Sequence, residues 1–177
     1  MVKDLTDPEV ALCGKSKEGA LESKHKGNRC FLKSDYANAL DFYTQILFFN
    51  SFALRVAPMD AHEADRNLVA TLYVNRASVL QKMGLMRECL RDCNRALRIS
   101  SNYAKAWFRR GKANAAMGRY EDAIRDLDVA KSVEASDGGK KQIESEIRVV
   151  LDQQYRAASS SRQHNQNDSI VLGKITS

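Results

Sequence analysis

An internal repeat of 34 residues constrains this chain more than any other feature. The stretch from Ala70, "ATLYVNRASVLQKMGLMRECLRDCNRALRIS", aligns with that from Ala104, "AKAWFRRGKANAAMGRYEDAIRDLDVAKSVE". Tyr73 falls on Trp107, Ala77 on Gly111, Gly84 on Gly118, Cys89 on Ala123 and Ala96 on Ala130. Small residues recur where two helices must approach closely, and large ones recur where they fill the space between. Met-Gly closes the first helix of each pair, the glycine standing where a helix turns out of its last carbonyls. A further copy begins near Ala20. Gly27 takes the small position, Ala39 the next, and Tyr43 and Ile46 follow at helical spacing; "SDYANAL" (34–40) matches "GRYEDAI" (118–124).

From Gly27 to Ala77 is 50 positions, against 34 from Ala77 to Gly111, so about 16 residues are inserted between copies one and two. They lie near residues 52–67. The expected path is a lengthened second helix, a loop around Pro58 and re-entry near Asp65. Three such repeats would leave a final apolar face open, so a cap is expected. "GGKKQIESEIRVVLDQQYRAA" (138–158) supplies it, with Ile143, Ile147, Val150 and Leu151 as the apolar stripe. The polar residues 159–177 predict a disordered tail. Residues 1–15 predict a flexible segment, with at most a short helical turn after Pro8.

The period, the small positions and the aromatic positions resemble the tetratricopeptide repeat, over residues 20–135. One departure is Ala135, where that family often has proline. The resemblance implies an all-α fold: a right-handed solenoid of three helix pairs (about 20–53, 70–103 and 104–137) plus a C-terminal capping helix. It also implies that the first helix of each pair lines a concave groove. Amphipathic helical patterns, short loops and the lack of a strand pattern point the same way.

"KHKGNRC" (24–30) crowds cations around a Gly-Asn pair, both poor choices for a helix interior. Counted from the small residue of each copy, Lys24 and Asn28 fall four apart in the first, Asn75 in the second, and Lys105 and Arg109 four apart in the third. This set resembles the carboxylate clamp of the tetratricopeptide cochaperones in residue type and register. The resemblance implies a ligand: the extreme C-terminal Glu-Glu-Val-Asp of the cytosolic seventy- and ninety-kilodalton heat-shock chaperones. A C-terminal Asp carries two carboxylates; ammonium groups and amide NH₂ groups can hold both, and an Arg fork can take an upstream acceptor. Phe31, Ser78 and Lys82 project near the same face and by the resemblance shape the pocket for the ligand valine, with repeat packing as the competing reading. Trp107 and Phe108 are read as packing and His25 as solvated.

The net charge of +6 suits an acidic partner without choosing its class. Lys15, Lys17, Lys24, Lys26, Arg29 and Lys33 form a basic run, but acidic residues interleave elsewhere and no RNA-reading motif is present, which disfavours nucleic acid. No nucleophile–base pair, P-loop or metal-ligand spacing stands out, so neither an enzyme, a cofactor nor a metal is expected. "ILFF" (46–49) is too short for a membrane span and the N-terminus lacks a signal peptide's apolar region. Cys13, Cys30, Cys89 and Cys93 form no CxxC pair and read as small buried apolar residues in a reducing compartment, with a Cys89–Cys93 thiol pair as the alternative. These features favour a monomeric, cytoplasmic or nuclear interaction module. An alternative is a scaffold module of a larger protein, such as one carrying a SET methyltransferase domain, that binds another acidic peptide.

Overall fold

The computed structural model describes the backbone of residues 8–56 and 63–175, and the side chains of residues 19–48 and 66–160. All its elements are helices: α1 (Pro8–Leu32), α2 (Tyr36–Val56), α3 (Glu63–Lys82), α4 (Met86–Ile99), α5 (Ala104–Ala116), α6 (Tyr120–Val133) and α7 (Asp137–Ile175). The chain divides into two compact units, residues 1–102 with α1–α4 and residues 103–177 with α5–α7.

In the first unit α1 pairs with α2, α2 packs on α3, and α3 pairs with α4. Ala39, Tyr43, Ile46, Leu47, Val69, Leu72 and Val79 form its core. Cys89 and Cys93 are fully buried on α4. The inserted residues lengthen both flanking helices: α2 has 21 residues and α3 has 20, where α4 has 14 and α5 has 13. The expected loop around Pro58 lies outside the described residues. In the second unit α5 pairs with α6, and Ile143 and Val150 of α7 close over Ala123, Leu127 and Ala130. Ile147 packs against the same cluster. Leu151, expected in that stripe, is instead 47% exposed, because it follows Val150 by one residue and so turns about 100° away.

Both ends of the described chain are more helical than the sequence predicted. Pro8 opens α1 where a flexible segment was expected. Its fixed φ suits the first helical position, where the missing N–H would have no partner in any case. At the other end α7 continues through residues 159–175, where a disordered tail was expected. No proline follows Pro58, and Gly173 is the one glycine after Gly139, so nothing in that stretch forces a stop.

The turn inside each pair is one motif used three times. The N–H groups of Asp35, Leu85 and Arg119 donate to the carbonyls of Cys30, Leu80 and Asn114, at 2.9 Å each. Those of Ser34, Gly84 and Gly118 donate to Phe31, Gln81 and Ala115. These two bonds define a Schellman ending, which puts one residue in the left-handed region. That residue is glycine in two copies, with φ of 78° and 73°, but Ser34 in the first, with φ of 60°.

A second recurring device ties the helices of a pair. Asp92 is 1% exposed and accepts from Arg76 Nε at 2.6 Å and Nη2 at 2.8 Å. Asp126, 34 residues on, accepts from Arg110 Nε at 2.9 Å and Nη2 at 2.6 Å. Each bond is charge-assisted and each pair is a fork on a carboxylate. Arg95 adds a third donor to Asp92, and Asn114 a third to Asp126. Each forked Arg also lies over the aromatic ring three residues before it: Arg76 over Tyr73 at 5.8 Å and Arg110 over Trp107 at 4.4 Å.

Replacing Ser34 by glycine removes the strain of a side chain at positive φ. Left-handed backbone costs a non-glycine residue about 1–2 kcal/mol, and the extra freedom of glycine in the unfolded chain takes back about 0.4–1 kcal/mol. Ser34→Gly is therefore expected to stabilise the fold by about 0.5–1 kcal/mol. Urea titration of the two proteins checks this, and a destabilised variant would contradict it.

Candidate peptide-binding site

In the first unit, α1, α2 and α3 each contribute one side chain to a polar cluster beside the core. Gly27 makes the cluster possible. A Cβ there would sit 2.9 Å from Tyr43 Cε1 and 3.1 Å from Cζ, so only glycine lets the Tyr43 ring lie against α1. With the ring so placed, the Tyr43 hydroxyl reaches the next residue and donates to Asn28 Oδ1 at 2.5 Å. Asn75 of α3 donates from Nδ2 to the same oxygen at 3.3 Å. Lys24 lies one turn before Asn28 on α1, half-buried. The structure thus brings Asn28 and Asn75 into contact and keeps Lys24 on the adjoining turn of the same face.

In the sequence Tyr43 marks only a repeat position at helical spacing, which does not reveal the role of its hydroxyl. The ring is 2% exposed. Burial pushes its phenol up to about 12, partly offset by a hydrogen bond with Asn75. The hydroxyl therefore remains a donor at any physiological pH.

Two of the three secondary candidates of this unit, Phe31 and Ser78, are engaged in packing or a local bond. Phe31 packs on the Tyr36 ring, centroids 5.7 Å apart, and against the core. The Ser78 hydroxyl donates back to the Val74 carbonyl at 2.9 Å. Lys82 is exposed in the last turn of α3. His25 is exposed as well.

In the second unit, Lys105 and Arg109 stand one turn apart on α5, Lys105 exposed and Arg109 half-buried. Lys105 and Phe108 share a shallow pocket with Glu134, Ser136, Gln142 and Ile143. Trp107 and Phe108 pack on the apolar cluster of this unit. Sequence reasoning did not foresee Glu134 as a neighbour of Lys105. Its carboxylate accepts from the Ser136 N–H at 3.0 Å and the Ser136 hydroxyl at 2.8 Å. Those bonds, and then the Lys105 charge, hold its carboxyl below the ordinary carboxylate value. The Lys105 ammonium thus already lies in the field of one carboxylate.

Among the described residues no group of His, Cys, Asp or Glu could hold a metal ion, and no helix is long and apolar enough to cross a membrane. What the two sets offer a ligand is hydrogen-bond donors: ammonium, guanidinium and amide NH₂ groups, suited to carboxylates.

Residues 70–103 and 104–136 match the tetratricopeptide repeat family model. The chain is a tetratricopeptide repeat protein, in its repeats and in its all-α fold. A DnaJ homolog subfamily C member 7 homolog of Schizosaccharomyces pombe is 32% identical over 134 residues, covering 76% of this chain and 26% of its own length. The chain thus spans about a quarter of such relatives. Among solved structures, the TPR2B-domain:pHsp70 complex of yeast Sti1 superposes with a TM-score of 0.57 at 28% identity, covering 81% of this chain and 98% of that one. The first TPR of Spaghetti (RPAP3), bound to the HSP90 peptide SRMEEVD, gives 0.59 at 27% identity, covering 76% and 92%.

The buried phenol carries a pH dependence of defined sign. The folded state holds the Tyr43 proton more tightly than the unfolded chain does, so this stabilisation is complete below pH 10.0 and is lost as pH rises through about 12. Tyr43→Phe removes the titrating group. Denaturant titrations across that range should show wild type losing stability more steeply than the variant. Parallel losses would mean that the phenol is not held in this way.

Proposed function

We propose that this protein is an interaction module that binds the acidic C-terminal tail of seventy- and ninety-kilodalton heat-shock chaperones. Lys24, Asn28 and Asn75 of the first unit take the carboxylates of the terminal Asp. Lys105 and Arg109 of the second unit supply donors to acceptors further up the peptide. The observation that carries the reading is the register. All five positions match the carboxylate clamp in type and spacing, in a chain similar to domains solved with chaperone-tail peptides. The greater length of the relatives favours a companion reading, in which the module serves a larger protein and takes another acidic peptide.

A docked tail loses conformational freedom, so the affinity is modest, about micromolar or roughly −8 kcal/mol. Lys24→Ala and Lys105→Ala should each weaken a tail peptide at least about tenfold, roughly 1.4 kcal/mol. Stability should change by under about 0.5 kcal/mol, since neither side chain is in the core. Calorimetry on the folded variants checks this, and unchanged affinity removes the residue from the site.

A site that reads a chain terminus, and not merely negative charge, also discriminates by geometry. Adding one glycine after the Asp keeps the net charge but moves the carboxylate by about 3.5 Å. Native peptide should bind at least about tenfold more tightly than the extended one. The titration is run at roughly 0.15 M salt, where long-range attraction is largely screened. Equal affinity would leave nonspecific electrostatics, the behaviour expected of a nucleic-acid patch.

A further inference from the structure

The Asn28 carboxamide is held by both neighbours through one atom. Its Oδ1 accepts from the Tyr43 hydroxyl at 2.5 Å and from Asn75 Nδ2 at 3.3 Å. A carbonyl oxygen has two lone pairs, so this one is fully used. What Asn28 retains for a ligand is its NH₂ group, which no described residue engages through a hydrogen bond. With the amide turned over, that NH₂ would face the Asn75 donor. The Tyr43 hydroxyl, which already accepts a hydrogen bond from Asn75, would lose the acceptor for its own buried hydrogen, and the carbonyl would face the ligand in its place. Nothing in asparagine itself prefers one orientation; its neighbours decide.

We propose that Tyr43 is a positioning residue for the anion site: its buried hydroxyl locks the Asn28 carboxamide with only donors left to the ligand, so that the site takes a carboxylate and rejects a carboxamide. Three observations carry this. Gly27 allows the ring to lie against α1, which aims the hydroxyl at the adjacent residue. The ring is fully buried in the core, so the hydroxyl does not swing away. Tyr43 also has no counterpart of its kind in the other copies, where Cys93 and Leu127 hold the equivalent positions. Asn28 accordingly has a lock that rests on the first copy alone. Asn75 by itself is a weaker one, because its bond is longer and its own amide can turn.

This inference rests on the carboxylate-binding reading above, and one titration separates the two. The ligand is the peptide Ser-Arg-Met-Glu-Glu-Val-Asp, with its C-terminus either free or amidated. Wild type and Tyr43→Phe are each titrated with both forms. Phenylalanine keeps the ring over Gly27, and a thermal melt confirms that the variant is folded. Wild type should prefer the free acid by at least about tenfold. In Tyr43→Phe the preference should fall to about threefold or less, because Asn28 can then turn its carbonyl toward the amide NH₂ of the ligand. A loss confined to general packing would weaken both peptides alike and keep the ratio. An unchanged ratio in the folded variant therefore overturns the role of Tyr43 alone. A wild-type ratio near one overturns the carboxylate reading and this inference with it.

Discussion

The close approach of paired helices at Gly27 and Gly111 is the constraint from which the remaining packing follows. At Gly111 a Cβ would lie 2.9 Å from Leu127 Cγ and 3.0 Å from the Ala123 carbonyl oxygen, which is backbone and cannot step aside. At Gly27 the obstacle is the Tyr43 ring. In both pairs the first helix gives up a side chain so that the second can bring a large one across. The middle pair divides the volume differently, with Ala77 on the first helix and the smaller Cys93 at the position of Tyr43 and Leu127. Interiors are packed near crystal density, so a gain on one side of a helix contact is matched by a loss on the other.

Such close pairs bury Asp92 and Asp126, and that sets the conditions for the two Arg–Asp forks. A carboxylate as buried as Asp92 is stable as an anion only if its acceptor sites are filled. Three donors do this at Asp92 and three at Asp126. At Arg76 burial works against the charge, but the hydrogen bond and charge of Asp92 outweigh it and raise the pKa further. The net gain in stability from a buried pair is small, because desolvation offsets most of the attraction. A mismatched register would instead strand a buried charge, and the forks thereby specify how the two helices align. The first copy shows that the device is not obligatory. Phe42 stands where Asp92 and Asp126 stand in the others, and Lys26 pairs with Glu22 on its own helix.

How far this was legible follows from which signals are local. The repeat, its small positions and its turn glycines are visible because identical jobs recur at fixed offsets. The forks recur too: Arg76 and Asp92 repeat as Arg110 and Asp126. They escape notice because a charge in an amphipathic helix reads as solvated until a partner 16 residues away is known to share the interface. Tyr43 reads as a core aromatic, which its ring is; only coordinates reveal where the hydroxyl ends. Glu134 is missed for a related reason, since its link to Lys105 depends on the α6–α7 turn. The ends of the chain fail differently. Residues 159–175 lack the apolar periodicity that signals a packed helix, and a helix that continues because nothing stops it leaves no such mark.

The proposed recognition residues and the packing residues sit side by side without conflict because of the 100° step between successive helix positions. On α3, Asn75 meets Asn28, Arg76 forks onto Asp92, and Ala77 is fully buried at the close contact. On α5 the same three places hold Arg109, Arg110 and Gly111. Three adjacent residues thus face three directions: one toward the proposed ligand side, one along the seam to the paired helix, and one into the contact itself. On α1, Gly27 occupies the contact position and Asn28 the next one, whose carbonyl meets the hydroxyl of the side chain that Gly27 admits. Residues at the first of these places can be altered in type while the contact and the seam stay fixed. Their spacing cannot be altered in this way. A shift of one residue would carry the polar side chain into the apolar contact and the small residue onto the outer face, and the pair would no longer close.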